Sequence, residues 1–295
     1  MSEPTQRLRP SHGPPADASV SLEAQIALHA VRRLWSDREL TPPPIGEESV
    51  RWEWFYRFVS FHGLASLVWY GIGDQMRSQF PSWLQEALIQ DSIGSAARHR
   101  LMIKAAAEAI SVLEQGGIPA ISIKGPSIAA EYPAWPMRPF CDIDLLTPHE
   151  TFASARAALT SAGYLPTEEI RRRPWPYVLY PHAEVLRHPE SGVSIDLHWR
   201  VGSGELTAVG LDTAELVRSA RIIHCAGVAL PAPSLEDQVM IAASHGVRHG
   251  WQRMLQVCDL VALVSKLPAG GVDSALRRAQ NMGKAAERTM EQGLS

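Results

Sequence analysis

Asp142 and Asp144 stand two residues apart in residues 140–146 (FCDIDLL). Apolar residues alternate with them, so the stretch reads as a strand with both carboxylates on one face and Ile143 and Leu145 on the other. Two carboxylates side by side repel at neutral pH. A divalent cation relieves that repulsion, and Mg²⁺ favours one or two protein carboxylates completed by waters and phosphate oxygens. Asp196, in residues 193–199 (VSIDLHW), is a third acid flanked by apolar strand residues, a costly position if buried without a partner. Three acids on two strands could share two metals, which together hold the attacking and leaving oxygens of an in-line phosphoryl displacement. The spacing alone fits exposed strand-end acids equally well.

Other residues near these acids carry chemistry of their own. Lys124, Gly125 and Ser127 lie in a turn interrupted by Pro126, and Arg138 lies in a stiff loop with Pro133, Pro136 and Pro139. Lys124 offers a point charge to a phosphate, or is a solvated strand-end lysine. Arg138 either clamps a phosphate or pairs with Asp142. His198 shares the strand face of Asp196. His245 and His249 are four apart, which places two imidazoles on one helix face; zinc sites use that spacing, but no third ligand is near, and helix packing or a substrate contact competes. Cys141 is expected on the opposite strand face from Asp142, in the core. Arg171–Arg173, followed by Trp175 and Tyr177, is the one basic run; it suits either nucleic acid or a solvated loop.

The elements that must position these groups follow from pattern. Residues 21–40 place Leu22, Ile26, Ala30 and Leu34 on one helical stripe, with prolines at 42–44 ending it. Two further helices are expected over about 50–70 and 82–115, the second stopping at Gly116-Gly117. Residues 118–124 (IPAISIK) read as a strand and 127–132 as a short helix. Thr147 and Glu150 form a capping box, with Pro148 first in the helix that follows. Residues 184–188 and 193–199 pair around a turn at 189–192, and a second hairpin is expected over 221–231. From Ser234, which with Asp237 resembles a capping pair, the chain is helical again.

Of the 295 residues, 45% are hydrophobic and 20% charged, with a net charge of -3. A large core can form, and the balance disfavours a general nucleic-acid coat. Three widely spaced cysteines show no CxxC and no disulfide framework, which points to a reducing, cytoplasmic setting. No apolar h-region or membrane-spanning stretch is expected.

Ile123-Lys124-Gly125, Tyr132, Arg138, Asp142-Ile143-Asp144-Leu145-Leu146 and Asp196-Leu197-His198-Trp199 resemble, in this order, the uncharacterised branch of the polymerase-β-like nucleotidyltransferase superfamily. The likeness covers about 118–262 and extends to Ser234-Leu235-Glu236-Asp237, His245, His249 and Asp259. It implies an α+β fold: a polymerase-β-like palm, a small mixed sheet with helices, at residues 117–232. Helical segments at 21–116 and 233–295 would flank it, after a disordered tail at 1–20. It also implies transfer of a nucleoside monophosphate from an NTP, with ATP the expected nucleotide, to an acceptor hydroxyl, releasing pyrophosphate.

Asp142, Asp144 and Asp196 would be catalytic and hold Mg²⁺ or Mn²⁺. Lys124, Gly125, Ser127 and Arg138 would meet the nucleotide, and His198, His245 and His249 are possible substrate contacts. Most of the superfamily carries Gly-Ser at the turn; Pro126 removes an N–H there, which shifts phosphate contact toward Ser127 and Lys124. The acceptor is a small molecule, a peptide, a protein or an RNA end. The competing readings are a two-metal phosphohydrolase or nuclease with the same carboxylates, and a non-catalytic nucleotide-binding module.

Overall fold

A computed structural model describes residues 20–45, 50–167, 182–202, 210–282 and 284–294. Helix α1 (Leu22–Arg33) begins at Ser21, whose hydroxyl accepts the Ala24 N–H at 3.3 Å. It stops at Arg33, short of the prolines expected to end it. The Ser36 hydroxyl bonds the N–H and carbonyl of Arg38, and this local turn competes with helix. The single helix expected over 50–70 is two, α2 (Trp52–Phe61) and α3 (Ala65–Gly71). Gly63 breaks them at φ 72°. The break has a use: His62 accepts the Leu255 N–H on its carbonyl and the Met254 N–H on Nδ1, both at 3.2 Å.

After the short α4 (Asp74–Arg77) comes α5 (Ser82–Gln115), as expected from its apolar spacing. At 34 residues it is roughly 50 Å long. It ends where Gly117 takes φ 68° and the Ile118 N–H bonds the Leu113 carbonyl.

A five-stranded sheet follows: β1 (Ile121–Ile123), β2 (Ile143–Leu146), β3 (Leu165–Pro166), β4 (Ala183–Arg187) and β5 (Ser194–His198). Its order is β1-β2-β5-β4-β3; β2 and β5 run parallel and every other pair is antiparallel. Helix α6 (Gly125–Ala129) and a 3₁₀ turn (Trp135–Met137) connect β1 to β2, and α7 (His149–Ser161) lies between β2 and β3. The capping box predicted for α7 is not formed. Pro148 is the N-cap, while the Thr147 N–H bonds the His198 carbonyl and its hydroxyl donates to the Pro119 carbonyl. The Thr147 hydroxyl also meets the Thr151 hydroxyl at 2.8 Å, so it is engaged with side-chain and carbonyl oxygens and caps no helix N–H.

Helix α8 (Thr213–Arg218) leads to the expected hairpin of β6 (Arg221–Cys225) and β7 (Val228–Ala232). Four helices close the chain: α9 (Leu235–Arg248), α10 (Met254–Val264), α11 (Gly271–Met282) and α12 (Lys284–Leu294). Ser234 caps α9 as predicted, accepting the Asp237 N–H at 3.1 Å.

Two cores form. Ile143, Leu145, Ile195 and Leu197 pack one sheet face against the second half of α5, α7 and the β6–β7 hairpin. The other core joins the N-terminal helices to β1 and to α9–α12. The helical segments at 21–116 and 233–295 therefore share one apolar interior, and α5 belongs to both cores. No described helix is long and apolar enough to cross a membrane.

Candidate active site

Strand register assembles the acids. Asp144 lies directly opposite Asp196 across the parallel pair β2–β5, and opposite Ile123, the residue before Lys124, across β1–β2. Alternation sends Ile143, Leu145, Ile195 and Leu197 into the core and leaves Asp144, Asp196 and His198 on the other face. Asp142 precedes β2 and is half-buried.

Asp144 is buried, and its Oδ1 accepts from Lys124 Nζ at 2.7 Å and from His198 Nε2 at 2.8 Å. Burial opposes its charge, but the Lys124 ammonium and the His198 bond outweigh that and hold the carboxyl far below the usual range. Asp142 goes the other way: burial and then the nearby Asp144 charge push it up, against Lys124 and Arg138. His198 is kept below its usual value by burial and then by Lys124, so it is neutral and donates through Nε2. Its Nδ1 is buried and makes no hydrogen bond among the described residues.

Lys124 reaches this position through a backbone that L-residues rarely adopt, φ 54° and ψ -131°. A non-glycine residue in such a conformation costs about 1–3 kcal/mol and persists only when its surroundings hold it. Here the Ser127 hydroxyl donates to the Lys124 carbonyl at 2.8 Å. Ser127, expected at a phosphate, is fully buried and braces the turn instead. Gly125 packs beside the loop before β2: a Cβ there would lie 3.4 Å from the Asp142 carbonyl oxygen and 3.7 Å from the Phe140 ring.

Arg138 also departs from expectation. It is buried, and its guanidinium makes a two-pronged pair with Asp259 of α10, at 2.7 and 2.8 Å. Tyr132 Oη donates to the same carboxylate at 2.6 Å. Burial opposes the arginine charge, but Asp259 overcomes it. This cluster ties the loop before β2 to the C-terminal helices. Cys141, placed in the core by alternation, is exposed, because β2 begins only at Ile143 and strand periodicity does not reach it.

His245 and His249 do sit together, their rings 4.5 Å apart. His245 borders a narrow cavity with Lys124, His198 and Arg248. Burial and then Lys124 lower it to about 2, so it is neutral. His99 was missed in the sequence. It stacks on Phe140 at 4.1 Å, and its Nε2 accepts the Phe140 N–H at 3.0 Å, which holds the loop leading to Asp142. No signal in the sequence marks it, since it lies more than forty positions away on α5. The basic run Arg171–Arg173 lies outside the described residues.

Asp144, Asp196 and His198 each offer a ligand atom within 4.8 Å of the others. Two carboxylates with an imidazole beside them have the donor chemistry that could hold a divalent cation. Asp142 is outside this close group but near enough to repel Asp144. Acids on adjacent parallel strands thus stand beside a strained lysine turn, an arrangement that could hold a divalent cation.

Residues 48–292 match the family described as uncharacterised nucleotidyltransferase. The chain belongs to that family and is a nucleotidyltransferase. A search of curated proteins gave no significant relative. Among solved structures, ANT(2")-Ia in complex with adenylyl-2"-tobramycin is similar at 14% identity and TM-score 0.44, over 61% of this chain and 95% of that one. A solution structure of the antibiotic-resistance factor ANT(2'')-Ia is similar at 14% identity and TM-score 0.42, over 68% of this chain and 96% of that one.

Proposed function

We propose that this protein transfers a nucleoside monophosphate from an NTP to an acceptor hydroxyl, on a polymerase-β-like palm whose catalytic acids are Asp142, Asp144 and Asp196. The observation that carries this reading is the register pairing of Asp144 with Asp196 beside Lys124. Asp196 takes the acceptor's proton. The acceptor oxygen then bonds to the α-phosphorus, and the bond to the bridging oxygen breaks, that oxygen leaving with its electron pair as pyrophosphate. Lys124 supplies positive charge beside the acids. His198 holds Asp144 in place through Oδ1.

A divalent cation, Mg²⁺ or Mn²⁺, held by Asp144, Asp196 and His198 with Asp142 alongside, would counter the charge developing on phosphate oxygens. The remaining work of the protein is positioning. His245 beside Lys124 is a candidate substrate contact. The free thiols of Cys141, Cys225 and Cys258 suit a reducing cytoplasm.

Product analysis tests the reaction. With NTP and candidate acceptors, the wild type is expected to release pyrophosphate and add the mass of one nucleotide to an acceptor. Asp196→Asn is expected to lose about 10²–10⁴-fold in transfer while still binding Mg-NTP, because the proton acceptor is gone and the other acids remain. Efficient release of free monophosphate without any acceptor, lost in Asp196→Asn, would overturn transfer in favour of hydrolysis at the same carboxylates.

A further inference from the structure

Beside the acids lies a cavity of about 450 Å³ that the proposed reaction does not yet use. It is within the size range of small-molecule sites. Phe140 and Cys141, the two residues before Asp142, form one wall, and the face of α5 carrying Asp91, Gly94 and Arg98 forms another. Arg253, just before α10, completes it.

Gly94 is the most informative of these residues. It sits inside a 34-residue helix, where glycine costs roughly 0.5–1 kcal/mol relative to alanine. Local packing does not demand it, since a Cβ built there meets no atom within 4 Å. Gly63, which borders the same cavity, is different: its φ is 72° and a Cβ would crowd Leu255 at 3.2 Å. Gly94 thus keeps space open on the cavity wall without any partner in the fold requiring it.

The surrounding groups have the chemistry of nucleoside recognition. Arg98 and Arg253 are exposed and make no ion pair among the described residues. Guanidinium planes stack on bases and donate to base edges and ribose oxygens. Arg253 is already steadied over the Phe61 ring at 5.7 Å. One Asp91 oxygen accepts from Tyr56 Oη at 2.9 Å, and its second oxygen is an acceptor suited to a ribose hydroxyl or a base amine.

Position decides between the two substrates. The cavity shares Phe140 with the Lys124-Gly125 turn, and no residue of β4 or of β5, which carries Asp196, borders it. It therefore extends from the phosphate side of the site, not from the side of the acceptor base.

We infer that this cavity, between the N-terminal helices and the sheet, holds the base and ribose of the NTP, with Gly94 giving them room and Arg98 and Arg253 gripping them. The inference rests on the nucleotidyl-transfer reading, and its test separates the two. Binding of Mg-bound ATP, GTP, CTP and UTP, and of Mg-bound inorganic tripolyphosphate, is measured by calorimetry on the full chain, with melting temperature as a folding check.

Gly94→Leu projects a side chain into this space from a Cβ position that no atom crowds. It is expected to weaken the preferred NTP about tenfold or more while tripolyphosphate still binds as in the wild type. Arg98→Gln, a surface change that keeps the fold, is the second variant and is expected to weaken the NTP selectively in the same way. If the wild type binds NTP and both variants bind it equally well, the cavity assignment falls and nucleotidyl transfer stands. Equal loss of NTP and tripolyphosphate in both variants also overturns the assignment, by placing the effect on the phosphates. If the wild type binds no NTP at all, the transfer reading itself falls.

Discussion

Asp142 and Asp144 look equivalent as letters, and their surroundings drive them apart. The buried Asp144 is stabilised as an anion by Lys124 and His198, so ionising it favours the fold. That contribution is present above the unfolded carboxyl value of 3.8 and is lost only as pH falls through the depressed folded value. Asp142 has its folded value raised, first by burial and then by Asp144, so its ionisation at neutral pH works against the fold. Both Asp142→Asn and Asp144→Asn are expected to lose most transferase activity. Their melting curves should diverge: Asp142→Asn keeps or gains stability at pH 7. Asp144→Asn loses about 1–3 kcal/mol, because a buried acceptor of charged hydrogen bonds is replaced and Lys124 is left uncompensated. Equal destabilisation in the two would contradict this account of their environments.

The next scale is the segment at 138–142, which has no regular structure of its own and is held from outside. Arg138 fixes its start through Asp259, and His99 of α5 fixes its middle through the Phe140 N–H. For His99 to accept that bond it must be neutral at Nε2. Burial, then Arg138, lowers it from 6.5 to about 4. A lowered histidine leaves the unfolded chain binding more protons between these values. Its contribution to stability is therefore complete above about pH 6.5 and declines as pH falls toward 4. His245, also held neutral by burial, adds in the same direction. Melting temperature is expected to drop over that interval, and His99→Gln should flatten part of the drop. An unchanged slope in the variant would show that His99 does not titrate with unfolding.

At the scale of the whole molecule, the buried Arg138–Asp259–Tyr132 cluster joins the loop before β2 to the C-terminal helices. Removing one partner of a buried ion pair typically costs about 3–5 kcal/mol, since the other charge is left in the interior. Asp259→Asn is expected to lower stability by a large part of that amount. The double variant Asp259→Leu with Arg138→Met should recover much of it, as apolar replacements of both partners leave no orphaned charge. Denaturant titration checks this. A single variant as stable as the wild type would mean that the cluster contributes no net stability. The shared core of α1–α3 and α9–α12 makes the same point without charge: the flanking helices share one interior with β1, and unfolding one end is expected to expose the other.

Local pattern in the chain was enough to place α5, the β4–β5 and β6–β7 hairpins, the Ser234 cap and the strand positions of Asp144 and Asp196, because each depends on short-range periodicity, turn residues or a neighbouring hydroxyl. The order of the lysine turn and the acid strands was likewise readable, and it pointed to a nucleotidyltransferase, the kind of family that the chain matches. What the chain could not show by itself was partnership between distant residues. The Arg138 guanidinium reads as a phosphate clamp or a partner of Asp142 until Asp259, 121 positions on, is found beside it. Ser127 reads as a phosphate ligand until its hydroxyl is found bonded to the Lys124 carbonyl in the strained turn. Cys141 reads as core until β2 is found to start two residues later. Likewise, the different environments of Asp142 and Asp144 and the open space at Gly94 exist only once sheet register and helix packing have set the distances. Electrostatic free energy and packing depend on separation in space, and separation along the chain carries little information about it.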